Sequence, residues 1–282
     1  FTLLIVLFIR CLLIESFTVS SCQIEATLSE NDNILVGKTA YGIRLPVTIL
    51  SSPFTFDNIF GLRSYSSALE LPYKRIFEGK AARNDIVLFN HPLETDKPLD
   101  KRSLLLGRIV GFPGDSIEMI GSEIQVNGQN YAVSPDIIET FKIKISGIYN
   151  LDSIIREQDI HIFGKTQVQD TLSLSLSQYD AFVLKEFLPD TIHLIPSAST
   201  LLHSHKFRMP SKGGSINFTD DNFSYYKQII MLEQNTQDVI FDRGILIING
   251  IKQGPYKFKD DYYWVLSDNT ENATDSRHLG FI

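Results

Sequence analysis

Leu104-Leu105-Leu106-Gly107-Arg108-Ile109-Val110-Gly111-Phe112-Pro113-Gly114-Asp115 is the stretch that decides the fold. Aliphatic and β-branched residues in an unbroken run, stopped by Pro-Gly-Asp, read as a strand buried on both faces and closed by a tight turn. Downstream, Ser116 to Met119 and Glu123 to Val126 alternate apolar and polar residues, with Asn127-Gly128 after them. Asn-Gly accepts the positive φ angles of a two-residue turn, so a β-hairpin is expected here. The wording returns much later in Gly244-Ile245-Leu246-Ile247-Ile248-Asn249-Gly250. One β domain split by an insertion accounts for both.

Upstream, Asp85 to Phe89 reads as a second buried strand, Asn90 to Leu99 as a polar surface loop, and Ile34 to Val36 as a short strand between turns. The insertion, residues 132–207, contains an alternating strand from Phe141 to Ile145 and another strand from Ile192 to Ile195. Between them Ser177 is placed to cap a helix from Gln178 to Phe187 that Pro189 ends. The expected fold is mainly β, an antiparallel core with a small inserted α/β unit and an N-terminal transmembrane helix. The core comprises residues 17–131 and 208–282.

Residues 1–16 are mostly apolar and interrupted by Arg10 and Glu15. Crossing a bilayer takes about 20 apolar residues. The expectation is a membrane anchor represented by its outer half, with Arg10 snorkelling near the helix end. A competing reading takes Val19-Ser20-Ser21-Cys22 as a lipoprotein cleavage site.

The chain has 282 residues, 43% hydrophobic and 21% charged, with a net charge of -7. That balance fits a globular protein and excludes an extended nucleic-acid footprint, which needs a concentrated basic face. Two cysteines, Cys11 and Cys22, make no disulfide framework. His161, His193, His203 and His205 lack the ligand spacing of a metal site, and no cofactor is implied.

Arg-Ile-Val-Gly-x-Pro-Gly-Asp resembles the strand and turn of type I signal peptidases, particularly Bacteroidetes-type members. In that family the residue before the arginine is the catalytic lysine. Here it is Gly107. Ser21-Cys22-Gln23-Ile24-Glu25-Ala26-Thr27-Leu28 resembles the family's Ser-x-Ser-Met-x-Pro-Thr-Leu, which sets Gln23 at the serine nucleophile and Ser21 at an oxyanion-hole serine. Ser267-Asp268-Asn269 and Asp275-Ser276-Arg277 resemble the last family motif, with Ala273 where a serine orients the lysine. The resemblance assigns structural roles to Asp115, Asp268, Asp275, Ser276 and Arg277, the simplest being a turn-fixing ion pair of Asp275 and Arg277. It places the substrate groove along Phe17, Val19, Ser21, Leu105 and Leu106.

A Ser/Lys protease needs a hydroxyl beside a neutral amine and donors for the developing oxyanion. Glutamine supplies no such nucleophile, Arg108 stays protonated, and glycine has no side chain. If the strand extended back to Lys101, that lysine would lie about 20 Å from Gly107, at roughly 3.3 Å per residue. The resemblance therefore implies a non-catalytic, membrane-anchored relative on the outer face of a bacterial inner membrane. Its implied partners are membrane lipid and either signal peptides of preproteins or an active signal peptidase. The alternative is an active peptidase with a relocated nucleophile at Ser21. A buried lysine nitrogen touching a serine oxygen anywhere along the cleft would overturn the silent reading.

Overall fold

Leu104–Gly111 is the middle strand of a three-stranded antiparallel sheet, between Ile86–Asn90 and Trp264–Leu266. The structure is a computed structural model and describes residues 1–51, 58–120, 123–131, 134–144, 151–189, 192–197, 204–270 and 274–282. From Leu106 onward the strand is buried, whereas Leu104 and Leu105 are half-buried. The run is therefore enclosed on both faces only in its second part. Trp264–Leu266 covers that same part, pairing with Gly111, Ile109 and Arg108. Ile86–Asn90 pairs with Leu104 through Arg108.

A second sheet orders Gln129–Asn130, Glu123–Val126, Ser116–Ile120 and Ser204–Arg208. Asn127 and Gly128 both have positive φ, 55° and 76°, the geometry a two-residue turn demands. Because Ser204–Arg208 pairs with Ser116–Ile120, the chain is back in the split domain before residue 208. Val239–Asp242, Ile245–Ile248 and Ile251–Lys252 form a third sheet. A helix, Phe223–Gln234, shares a core with these elements through Phe223, Tyr226, Ile229 and Ile230. Sequence reading assigned no helix to this half, although the apolar residues recur at helical spacing.

The insertion builds its own core. Its sheet orders Gly164–Val168, Thr171–Ser177, Ile138–Lys144 and Ile195–Pro196. Leu172, Leu174 and Leu176 alternate with half-exposed or polar neighbours and bury against Leu184 of the helix Gln178–Phe187. Ser177 caps that helix, its Oγ accepting from Asp180 N at 3.0 Å. Of the strand expected over Ile192 to Ile195, only Ile195 pairs, together with Pro196.

The N-terminal helix runs Thr2–Leu12. At 1.5 Å per residue it is about 16 Å long, roughly half the ~30 Å hydrocarbon thickness. Among the described residues no helix is long and apolar enough to cross a membrane, which corrects the expected transmembrane element. The helix stops because Ile14–Thr18 turns into a strand against Asn33–Gly37. Glu15 fixes the corner, meeting Arg10 at 3.1 Å and Lys38 at 2.6 Å.

Candidate functional site

Three distant segments meet at Gln23. It lies in the turn after Ile14–Thr18, next to Ile24, which is fully buried with Val19 and Leu106. The Gln23 side chain is 5% exposed. Its Oε1 accepts from Leu106 N at 3.1 Å, and its Nε2 donates to Thr274 O at 3.2 Å. The Gln23 carbonyl accepts from Asn269 N at 2.9 Å and from the Ser267 hydroxyl. A carboxamide satisfies a buried donor and a buried acceptor at once, a pairing a serine hydroxyl is too short to span.

Gly107 faces no empty socket. A Cβ there would lie 2.5 Å from Val265 Cγ1, 3.1 Å from Leu266 O and 3.5 Å from Phe89 Cε1. The space beside the strand is filled by Val265. Ala273 lies outside the described residues.

Arg108 is 7% exposed and Asp268 is fully buried. The guanidinium grips the carboxylate with Nε to Oδ1 at 2.9 Å and Nη2 to Oδ2 at 2.7 Å, and donates from Nη1 to Asn84 O at 3.1 Å. The hydrogen bond from Asp268 raises the Arg108 pKa against the opposing effect of burial, keeping Arg108 a fixed cation. Asp275 is buried as well and caps the last helical turn. Its carboxylate accepts from Ser267 N at 2.9 Å and from Arg277 Nη2 at 2.6 Å. Ser276 Oγ accepts from Val265 N at 2.9 Å, steadying the valine that closes Gly107.

At the other end of the strand, the Asp115 carboxylate accepts from Phe112 N at 2.8 Å, Asn127 Nδ2 at 2.7 Å and Arg83 Nη2 at 3.0 Å. Burial alone would push its pKa up, but these donors outweigh burial and hold it below the usual carboxylate range. A depressed folded pKa adds stability above the unfolded value, about 3.9, and that stability is lost as pH falls through the lower folded value. In urea titrations the gap between wild type and Asp115→Asn should hold steady above about pH 5 and shrink below about pH 4. A gap unchanged down to pH 2 would remove Asp115 from this role.

The cleft itself is a cavity of about 1060 Å³ beside the open half of the central strand. Phe17, Leu28, Ile34, Leu88, Leu104 and Leu106 supply apolar lining. Ser21, Val19 and Leu105 are not in that lining; Val19 is buried beneath it. Backbone alternation exposes one edge of the strand here. Ser103 O accepts from His91 N, and Ile109 exchanges bonds with Asn84 and Asp85, so the odd-numbered residues bond toward Ile86–Asn90. The even-numbered residues point the other way: Leu106 N reaches Gln23, and Arg108 pairs with Leu266. Leu104 N–H and C=O and Leu106 C=O thus face an edge that no strand covers among the described residues.

In the wall of the same cavity, Lys101 Nζ lies 2.6 Å from Ser51 Oγ. Lys101 ends a one-turn 3-10 helix, Leu99–Lys101, so the extended-strand estimate of its reach does not apply. This buried lysine touching a serine is the observation that the silent reading could not accommodate. No motif pointed to it. The two residues lie far apart in sequence, and neither stands in a recognisable pattern.

The fold and site define an antiparallel β protein with an open strand edge along an apolar cleft. The chain belongs to the signal peptidase family: the family profile described as Signal peptidase, peptidase S26 matches residues 1–184. Among curated proteins it is similar to Signal peptidase I of Rickettsia bellii (strain OSU 85-389), 33% identical over 125 residues, 44% of this chain and 36% of that protein. Signal peptidase I of Pseudomonas aeruginosa is 34% identical over 128 residues, 45% of this chain and 35% of that protein. For Rickettsia prowazekii the identity is 32% over 127 residues, 45% of this chain and 40% of that protein. The chain thus spans little more than a third of the length of the relatives it matches.

Proposed function

We propose that the chain holds an extended segment of a signal-peptide-bearing preprotein in this cleft, and that its inherited nucleophile and base positions, Gln23 and Gly107, carry no chemistry. It is a Bacteroidetes-type member, tethered by its apolar N-terminal helix at the outer face of a bacterial inner membrane. The observation that carries the proposal is Gln23: its buried carboxamide spends both polar atoms on Leu106 and Thr274, where the family's chemistry needs a free hydroxyl. The open edge at Leu104 and Leu106 supports β-addition of an extended peptide, with main-chain bonds for affinity and the apolar lining for selectivity. A second reading, cleavage by a relocated nucleophile, is favoured by the contact of Lys101 with Ser51 rather than by Ser21.

Fluorescence anisotropy with a labelled peptide, an apolar stretch ending in Ala-x-Ala, is expected to give saturable binding. Leu104→Pro removes an edge donor but no bond to Ile86–Asn90, a substitution that strand edges tolerate. It should weaken binding about tenfold, the worth of roughly one hydrogen bond. Absence of binding, or equal binding by both proteins, sinks the proposal. Binding only to an intact signal peptidase would transfer the cleft to that partner.

A further inference from the structure

We infer that Ser51 and Lys101 form a nucleophile and base pair in the wall of the cleft, and that the chain cleaves a peptide bond of the extended segment held there. This rests on the proposed peptide-holding function and goes beyond it. Ser51 is half-buried and lines the cavity together with Leu104 and Leu106, so a peptide on the open edge runs past its hydroxyl. Lys101 Nζ is 2.6 Å from that hydroxyl oxygen, within the reach a general base requires.

Lysine side chains are rarely removed from water, yet Lys101 is 7% exposed. Its nitrogen lies 5.7 Å from the centre of the Tyr65 ring. A lysine acts as base only as the free amine, the form that removal from water favours. Both partners are positioned by their neighbours. Asp100, next to Lys101, accepts from Thr48 N at 3.0 Å and Thr48 Oγ1 at 2.7 Å, pinning the segment that leads to Ser51. Ser51 itself bridges to Tyr65 and donates its N–H to Ile49 O at 3.0 Å.

In the first step Ser51 Oγ bonds to the scissile carbonyl carbon while its proton passes to Lys101 Nζ. The C–N bond then breaks, and the ammonium returns that proton to the leaving amine, leaving an ester on Ser51. Water gives a proton to Lys101 as its oxygen attacks the ester carbon. The C–Oγ bond breaks and Oγ takes the proton back. The sum is peptide and water to a carboxylic acid and an amine, with no other reactant.

The test uses the full chain and an internally quenched form of the same Ala-x-Ala peptide, with binding read in parallel by anisotropy. Cleavage should fall by about 10³-fold or more in Ser51→Ala, as when one member of such a unit is removed. Binding should stay within about twofold, since the substitution deletes a single hydroxyl. Lys101→Arg is the discriminating variant, because arginine keeps the charge and a donor to Ser51 but cannot give up its proton. A structural contact survives it, whereas cleavage is lost. A fluorophosphonate should label Ser51 in wild type and not in Lys101→Arg, as located by mass spectrometry. Binding without cleavage by wild type, or cleavage that persists in Ser51→Ala, overturns the pair alone. Absence of binding overturns the peptide-holding function, and the pair with it.

Discussion

Asp268→Ala is expected to destabilise the chain by about 3–5 kcal/mol, the range found when one partner of a buried ion pair is removed. The size follows from what is left behind. Arg108 would keep Asn84 O at 3.1 Å and the half-exposed Asp136 at 3.7 Å, but both short bonds to its buried carboxylate would be gone. Arginine cannot escape by losing its proton. A domain with total stability of about 5–15 kcal/mol tolerates such a loss poorly. Equilibrium urea unfolding measures it directly. The double variant Arg108→Met/Asp268→Leu should recover most of the stability, because an apolar pair leaves no charge in the interior. A loss below about 1 kcal/mol for Asp268→Ala would mean that the pair behaves as a solvated one.

Restoring the family residues is expected to fail for a steric reason. Gln23→Ser with Gly107→Lys puts a Cβ 2.5 Å from Val265 Cγ1 and 3.1 Å from Leu266 O. Valine is stiff at χ1, and a strand carbonyl held in a ladder has little room to retreat. Overpacking of this kind costs about 1–3 kcal/mol. Removing Gln23 adds the cost of an unsatisfied Leu106 N–H, about 1–3 kcal/mol. The triple variant that also carries Ala273→Ser should therefore be less stable than wild type and gain no cleavage at the restored position. Adding Val265→Ala is the change that should recover stability in that background. Thermal melts and the quenched-peptide assay read the two effects separately. A triple variant that cleaves through the new serine would mean that the site retains the room it seems to have lost.

How far the sequence anticipates the structure depends on the distance over which each interaction acts. Leu104–Gly111, the Asn127-Gly128 turn and the Ser177 cap are local, set by side chains within a few residues, and all three are legible. The replacement of Ser and Lys by Gln23 and Gly107 is also legible, since flanking motifs place each residue. What fills the vacated space is not. Gln23 answers to Thr274, Arg108 to Asp268, and Gly107 to Val265, contacts that exist only once the sheet has formed. Lys101 against Ser51 belongs to the same group. Phe223–Gln234 was missed for another reason: its aromatic residues suit a strand as well as a helix, and Asn222 makes no side-chain cap to mark the start. The half-length N-terminal helix shows the limit of counting apolar residues, because Ile14 to Thr18 are drawn into a hairpin by Asn33–Gly37.

The bond from Gln23 to Thr274 joins positions 251 residues apart. Ribosomes deliver the first of these long before the second, so the young polypeptide must wait with Leu106 unlatched and its leucine-rich strand bare. Closures over such separations are slow to form. Every newborn copy therefore passes through an interval of stickiness that ends only when its final dozen residues arrive.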